Sequence, residues 1–172
     1  MYRINTKKLV VASVFCAVAV VGSLFSFPIF GSKCSPVQHM VNVLCGVLLG
    51  PGYAIGAAFA ASLIRNIIAL GSLMAFPGSM FGAILCGLLY NRTGSIIAAV
   101  IAEVLGTAIL GGLCAYPIAI FLMGKSSAEI AFYAYIIPFL ISTAVGSLVS
   151  AVLLFALKKA KLLENMRAAI NK

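Results

Sequence analysis

Seven side chains have the types and spacing to do chemistry together, and all of them lie within strongly apolar stretches. Gln38 and Asn42 are four residues apart and His39 and Asn42 three apart, so on a helix the three share one face. Arg65 and Asn66 are neighbours on a second apolar segment, and Glu103 and Thr107 are four apart on a third. Polar groups inside a bilayer are costly and turn inward towards one another. At ~1.5 Å per residue, Arg65 stands roughly 20 Å, and Glu103 roughly 12 Å, above the start of its segment. Two arrangements fit. In one, an Arg65–Glu103 ion pair with satisfied amides staples the bundle. In the other, the groups converge on a pocket near the outer surface for a small polar or aromatic ligand, with Tyr116, Tyr133 and Tyr135 as stacking walls or interfacial anchors. The two can coexist. Seven groups from three helices exceed what one stapling pair needs, and for Arg65 and Glu103 themselves mutual pairing is the expected arrangement.

The elements that hold these residues are set by composition. Of the residues, 63% are hydrophobic and 9% charged, with mean hydropathy +1.19; soluble domains carry about 25% charged residues. A membrane span needs about 20 apolar residues, so the chain is expected to form an all-α membrane protein: one transmembrane domain over 1–172, a compact bundle of six helices. Punctuation by Gly, Pro and charge places them at about 7–25, 37–49, 52–70, 77–90, 95–123 and 130–157. The Pro28 to Pro36 stretch reads as a loop, and a basic tail follows the last helix. The helices at 37–49 and 77–90 are short for a ~30 Å core, so either they do not fully span or their flanking loops dip to membrane depth under cover of protein.

With the N-terminus inside, Arg3, Lys7, Lys8, Arg92, Lys158, Lys159, Lys161, Arg167 and Lys172 lie on the cytoplasmic side, and only Lys33 and Lys125 lie outside. That bias predicts both termini in the cytoplasm. The net charge of +9 is thereby a topology signal with contacts to anionic headgroups, and not a nucleic-acid surface. The basic start followed by an apolar run has no small-x-small cleavage site and reads as the first helix. Small residues are dense. Ala12 with Cys16, and Ser13 with Ala17, form small-xxx-small pairs on helix 1, which serve either internal packing or docking of another membrane subunit.

Much chemistry is excluded. The sequence holds no Walker A loop, no metal-ligand spacing, no triad partner for His39 and no paired carboxylates. The five cysteines lack a CxxC, and four of them (Cys16, Cys45, Cys86, Cys114) sit in apolar runs as small hydrophobes, with Cys34 in a loop. An enzyme is not expected; the remaining catalytic reading is an intramembrane enzyme using His39 or Cys34.

Several motifs carry a resemblance. Phe27-Pro28, Gly31-Ser32-Lys33, Pro36-Val37-Gln38-His39, Asn42-Val43, Gly46 to Pro51, Leu63-Ile64-Arg65-Asn66 and Phe76 to Met80 look like the ThiW family. These are substrate-binding (S) subunits of energy-coupling factor transporters, assigned to the thiazole precursor of thiamin. The likeness covers nearly the whole chain and is strongest between Pro28 and Tyr90. It implies a prokaryotic, multi-pass cell-membrane subunit that captures hydroxyethyl-thiazole from outside. It further implies a transmembrane coupling subunit and two ATPases as partners, which use the ATP, and toppling in the membrane to release ligand inward. The chain itself is expected to need no cofactor. Family members carry an Ala-xxx-Ala docking motif on helix 1; here Ala12-xxx-Cys16 or Ser13-xxx-Ala17 matches it in size. The ligand set implied is Gln38, His39, Asn42, Arg65, Asn66, Glu103, Thr107, Tyr116 and Tyr133. The alternative ligand is another vitamin or vitamin precursor.

Overall fold

The computed structural model describes residues 5–29, 32–128 and 130–171. Arg3, Gly31 and Lys172, which the sequence reading used, lie outside them. Six long helices are present: α1 (Thr6–Gly22), α2 (Pro36–Leu49), α3 (Pro51–Ile67), α4 (Ala75–Thr93), α5 (Ile96–Phe121) and α6 (Ile136–Lys159). A seventh, α7 (Leu162–Asn171), occupies the stretch expected to be a tail. By length and composition α1 with its following 3-10 turn, α5 and α6 are long and apolar enough to cross a membrane.

Several boundaries differ from the sequence reading, each for a physical reason. The third helix ends at Ile67 and not at 70, because Ala69 takes a left-handed conformation (φ 59°) and the N–H groups of Leu70 and Gly71 both fold back onto the Arg65 carbonyl. The fourth helix is not short: it runs for 19 residues and closes at Gly94, whose positive φ (65°) lets its N–H bond the Tyr90 carbonyl. The last long helix begins at Ile136, after turns, and not at 130. Lys161 (φ 59°) breaks the chain between α6 and α7. The expected loop after α1 contains an antiparallel hairpin, β1 (Phe27–Ile29) with β2 (Ser32–Cys34), pairing Pro28 with Lys33. Alternation sets its faces, with Ser32 and Cys34 buried and Lys33 exposed.

Helix α2 is the centre of the bundle. Eleven of its fourteen residues are buried, and at ~1.5 Å per residue it is only ~21 Å long. The buried Ser32 and Ser35 continue its column towards the hairpin. Helix α1 is the opposite case, with Leu9, Val10, Val14, Val18 and Val21 exposed along it. A long core of buried small and branched residues, most of them from α1 to α4 and joined by Ile96, Ala99, Leu154 and Leu163, is accompanied by a second cluster of Met74, Ala115, Ala119, Tyr135 and Phe139. The Asn5 side chain bonds the Ile170 carbonyl (3.0 Å), so the start of α1 and the end of α7 meet at one end of the bundle, opposite the hairpin.

Close approach of backbones depends on glycine. A methyl group at Gly146 on α6 would overlap the Pro36 carbonyl and crowd the Met40 nitrogen on α2, neither of which can move aside as a flexible side chain would. Gly146→Val should therefore lower stability by about 1–3 kcal/mol. Gly56→Ala, where nothing lies within 4 Å, should leave the protein as stable or more so. Thermal unfolding in detergent checks both, and equal melting temperatures would contradict the packing described.

Candidate functional site

At the hairpin end, a narrow cleft with a cavity volume of about 30 Å³ lies between the hairpin, α2, α3, α4 and α6. Its walls include Ser35, Gln38, His39, Arg65, Ser79 and Ser142, with Phe139 as the aromatic surface and Lys33 from the hairpin.

The polar groups around it form a chain of hydrogen bonds. Arg65 Nη2 donates to Ser35 Oγ (2.7 Å) and Nη1 donates to Gln38 Oε1 (3.2 Å). Gln38 Nε2 donates to Asn42 Oδ1 (3.2 Å), and Asn42 Nδ2 reaches both the Ser79 carbonyl (3.0 Å) and Glu103 Oε1 (2.9 Å). The same carboxylate oxygen takes His39 Nδ1 at 3.0 Å and accepts from Thr107 Oγ1 at 3.3 Å.

The expected Arg65–Glu103 ion pair is therefore not what forms. The two charges are linked through two amide side chains, and among the described residues His39–Glu103 is the one contact with salt-bridge geometry. The reason lies in helix order. Gln38 and Asn42 on the central α2 stand between α3 and α5, so the amides intercept both charges.

Local structure explains each placement. Pro36 opens α2 without wasting an N–H, and the 3.6-residue period then turns Gln38, His39 and Asn42 inward together. Within α5 a π-helical stretch from Gly106 to Gly111 follows directly after the turn that carries Glu103, and Thr107 lies inside it. Such widened turns often mark functional positions. Gly82 on α4 has no side chain because Glu103 and Thr107 fill that space. The hairpin is tied down by Cys34 Sγ to the Pro138 carbonyl (3.3 Å) and by the Ser35 N–H to Ser142 Oγ (2.9 Å).

Of the residues singled out in the sequence, Gln38, His39 and Arg65 line the cleft, and Asn42, Glu103 and Thr107 lie behind them as buried supports. Asn66 does not face the cleft. Its amide bonds the carbonyls of Ser62 (2.8 Å) and Ser72 (3.1 Å), fixing the turn that brings Ser72 to the wall. Tyr116 packs against the Met74–Tyr135–Phe139 cluster. Tyr133 is exposed and meets Phe132 edge-on at 5.1 Å. Neither tyrosine is a wall of the cleft. Tyr135 is buried and stands behind Phe139, their ring centres 6.4 Å apart. Phe139, Ser35, Ser79 and Ser142 were missed. A phenylalanine and serines among many carry no spacing signal until the hairpin and α6 are placed. Cys34 is buried and burial pushes its thiol up, which disfavours the thiolate that a nucleophile needs.

A second, larger concavity, of about 470 Å³, runs between α1 and α3. Ala12, Ser13, Cys16 and Ala17 form its α1 wall and Gly56, Ala57 and Ala60 line α3. All four residues of the two small-xxx-small pairs are there, Ala12 and Cys16 buried against the bundle and Ser13 and Ala17 exposed.

The apolar helical bundle thus carries a cleft where polar side chains and an aromatic ring converge, the usual character of a small-molecule site. The model of the thiamine-precursor transporter protein family (ThiW) matches residues 9–160, and the chain belongs to that family. It is thus a member of a transporter family for a thiamin precursor. No curated protein matches the chain.

Glu103 is wholly buried with three donors on one oxygen. Glu103→Ala should cost about 3 kcal/mol or more, since it strands those donors, whereas Glu103→Gln, which keeps an acceptor oxygen, should cost less. Chemical or thermal denaturation in detergent distinguishes them. An alanine variant as stable as the parent would show that the network does not hold the bundle.

Proposed function

We propose that this chain is the substrate-capture subunit of an energy-coupling factor type transporter and binds hydroxyethyl-thiazole in the cleft under the hairpin. The observation that carries the reading is the cleft itself: Gln38, His39, Arg65 and Ser142 offer hydrogen bonds beside the flat face of Phe139. A thiazole presents a ring to stack, one ring nitrogen and one hydroxyl. With Nδ1 of His39 committed to Glu103, Nε2 is the nitrogen left for a ligand. Gln38, His39 and Arg65 act as contacts, Phe139 takes the stacking role, and Asn42, Glu103 and Thr107 hold the contacts in place.

In this reading the chain makes six spans with both termini in the cytoplasm, supported by the charge bias and by the meeting of α1 and α7 at the end away from the cleft. The cleft then opens outward in a prokaryotic cell membrane. ATP is used by two ATPase partners through a transmembrane coupling subunit. The groove between α1 and α3 suits that subunit, because its small side chains let a foreign helix approach closely.

Hydroxyethyl-thiazole should raise the melting temperature of the purified protein. Ala75→Leu, which fills the cleft wall, should abolish the shift without unfolding the bundle. Ala17→Leu, exposed in the groove, should bind thiazole normally in detergent yet fail to support uptake in cells that carry the partner subunits. A wild-type protein indifferent to thiazole sinks the ligand assignment, and uptake by Ala17→Leu at the parental rate sinks the docking assignment.

A further inference from the structure

The charges at the cleft do not suit a wholly neutral ligand. Arg65 is 2% exposed, yet no carboxylate lies within salt-bridge distance of it among the described residues. Its guanidinium stays charged in a protein. Only two of its N–H groups find acceptors, both neutral oxygens of Ser35 and Gln38, and Nε has none. A buried cation without a counter-charge is expensive. Glu103 does not serve: one oxygen is taken by His39, Asn42 and Thr107, the other has no partner among the described residues, and the residue lies outside the cleft wall and beyond salt-bridge distance of Arg65.

The remaining wall has the same sign. Lys33 brings a second fixed positive charge to the mouth, and among the described residues no Asp or Glu lines the cleft. Ser35 Oγ accepts from Arg65, and Ser142 Oγ accepts from the Ser35 N–H. Each hydroxyl therefore keeps its own proton to donate. Cations and free O–H donors converge, and acceptors are in short supply.

We propose that the cleft takes a ligand bearing an anionic group, a carboxylate or a phosphate monoester, which completes the coordination of Arg65 with Lys33 at the rim. This rests on the cleft being the ligand site, and it narrows the substrate class from a neutral thiazole alcohol to an acidic derivative of such a ring. A carboxylate or phosphate meets a guanidinium with two parallel hydrogen bonds and an opposite charge, neither of which a single neutral hydroxyl supplies, and that difference is the source of the selectivity.

The test is binding to the intact purified chain in neutral detergent, by calorimetry, with hydroxyethyl-thiazole, its phosphate monoester and the 4-methylthiazole-5-carboxylate as probes, and inorganic phosphate as a ring-free control. At least one acidic thiazole should bind about tenfold or more tighter than the alcohol, and inorganic phosphate should bind more weakly than that acid. The preference should shrink severalfold in Lys33→Gln, an exposed position that leaves the buried network untouched. Arg65→Lys, which keeps the charge and loses the fork, should reduce it further. Equal or tighter binding of the alcohol overturns the anionic proposal and leaves the thiazole reading standing. Binding of none of the three thiazoles overturns both, and inorganic phosphate binding as tightly as the acids would reduce the site to an ion site without ring recognition.

Discussion

The structure is organised by one constraint: a carboxylate, Glu103, is placed where no solvent reaches it. A carboxyl group removed from water needs protein donors in the place of water. Three donors from α2 and α5 converge on one of its oxygens. Meeting that demand fixes the rotation of α2, and a rotated α2 presents Gln38 to Arg65 and His39 to the cleft. Gly82 clears room on α4 for the same side chain. The cleft is thus a by-product of solving a burial problem, with its wall rigid because each member bonds the next.

Much of this was legible in the sequence because lipid leaves so few polar residues to consider. The face shared by Gln38, His39 and Asn42, and the inward turn of Arg65 and Glu103, follow from helical period and the cost of charge in hydrocarbon. Pairing was not legible. Two opposite charges on neighbouring segments suggest a bridge, but whether a third helix stands between them is a tertiary fact, and here α2 does. The hairpin escaped for a different reason: three-residue strands, one containing proline, carry almost no period-2 signal. The seventh helix was hidden by its charge, since Leu163 is buried while Lys161 and Glu164 beside it are exposed. Tyr116 and Tyr133 were placed by type alone, and packing assigned the aromatic wall to Phe139 instead.

The two ends of the bundle divide the work. The hairpin end holds the polar cleft, closed over by Ser32 and Lys33 and tethered to α6 through Cys34 and Ser35. The other end gathers the start of α1 and the end of α7, where the guanidinium of Arg167 lies 4.8 Å from the ring centre of Tyr90 and the Lys8 ammonium 5.7 Å from that of Tyr53. Between them α1 stays largely uncovered, with a groove of small side chains along it.

The location of the ligand is the claim on which the rest turns. A structure of the protein with a bound thiazole, neutral or acidic, tests it most directly. The account predicts the ring against Phe139, with polar atoms within hydrogen-bond distance of Arg65, Gln38 or the Nε2 of His39, and the Glu103 network unchanged behind them. Ligand density in the groove between α1 and α3, with the cleft under the hairpin empty, would contradict it.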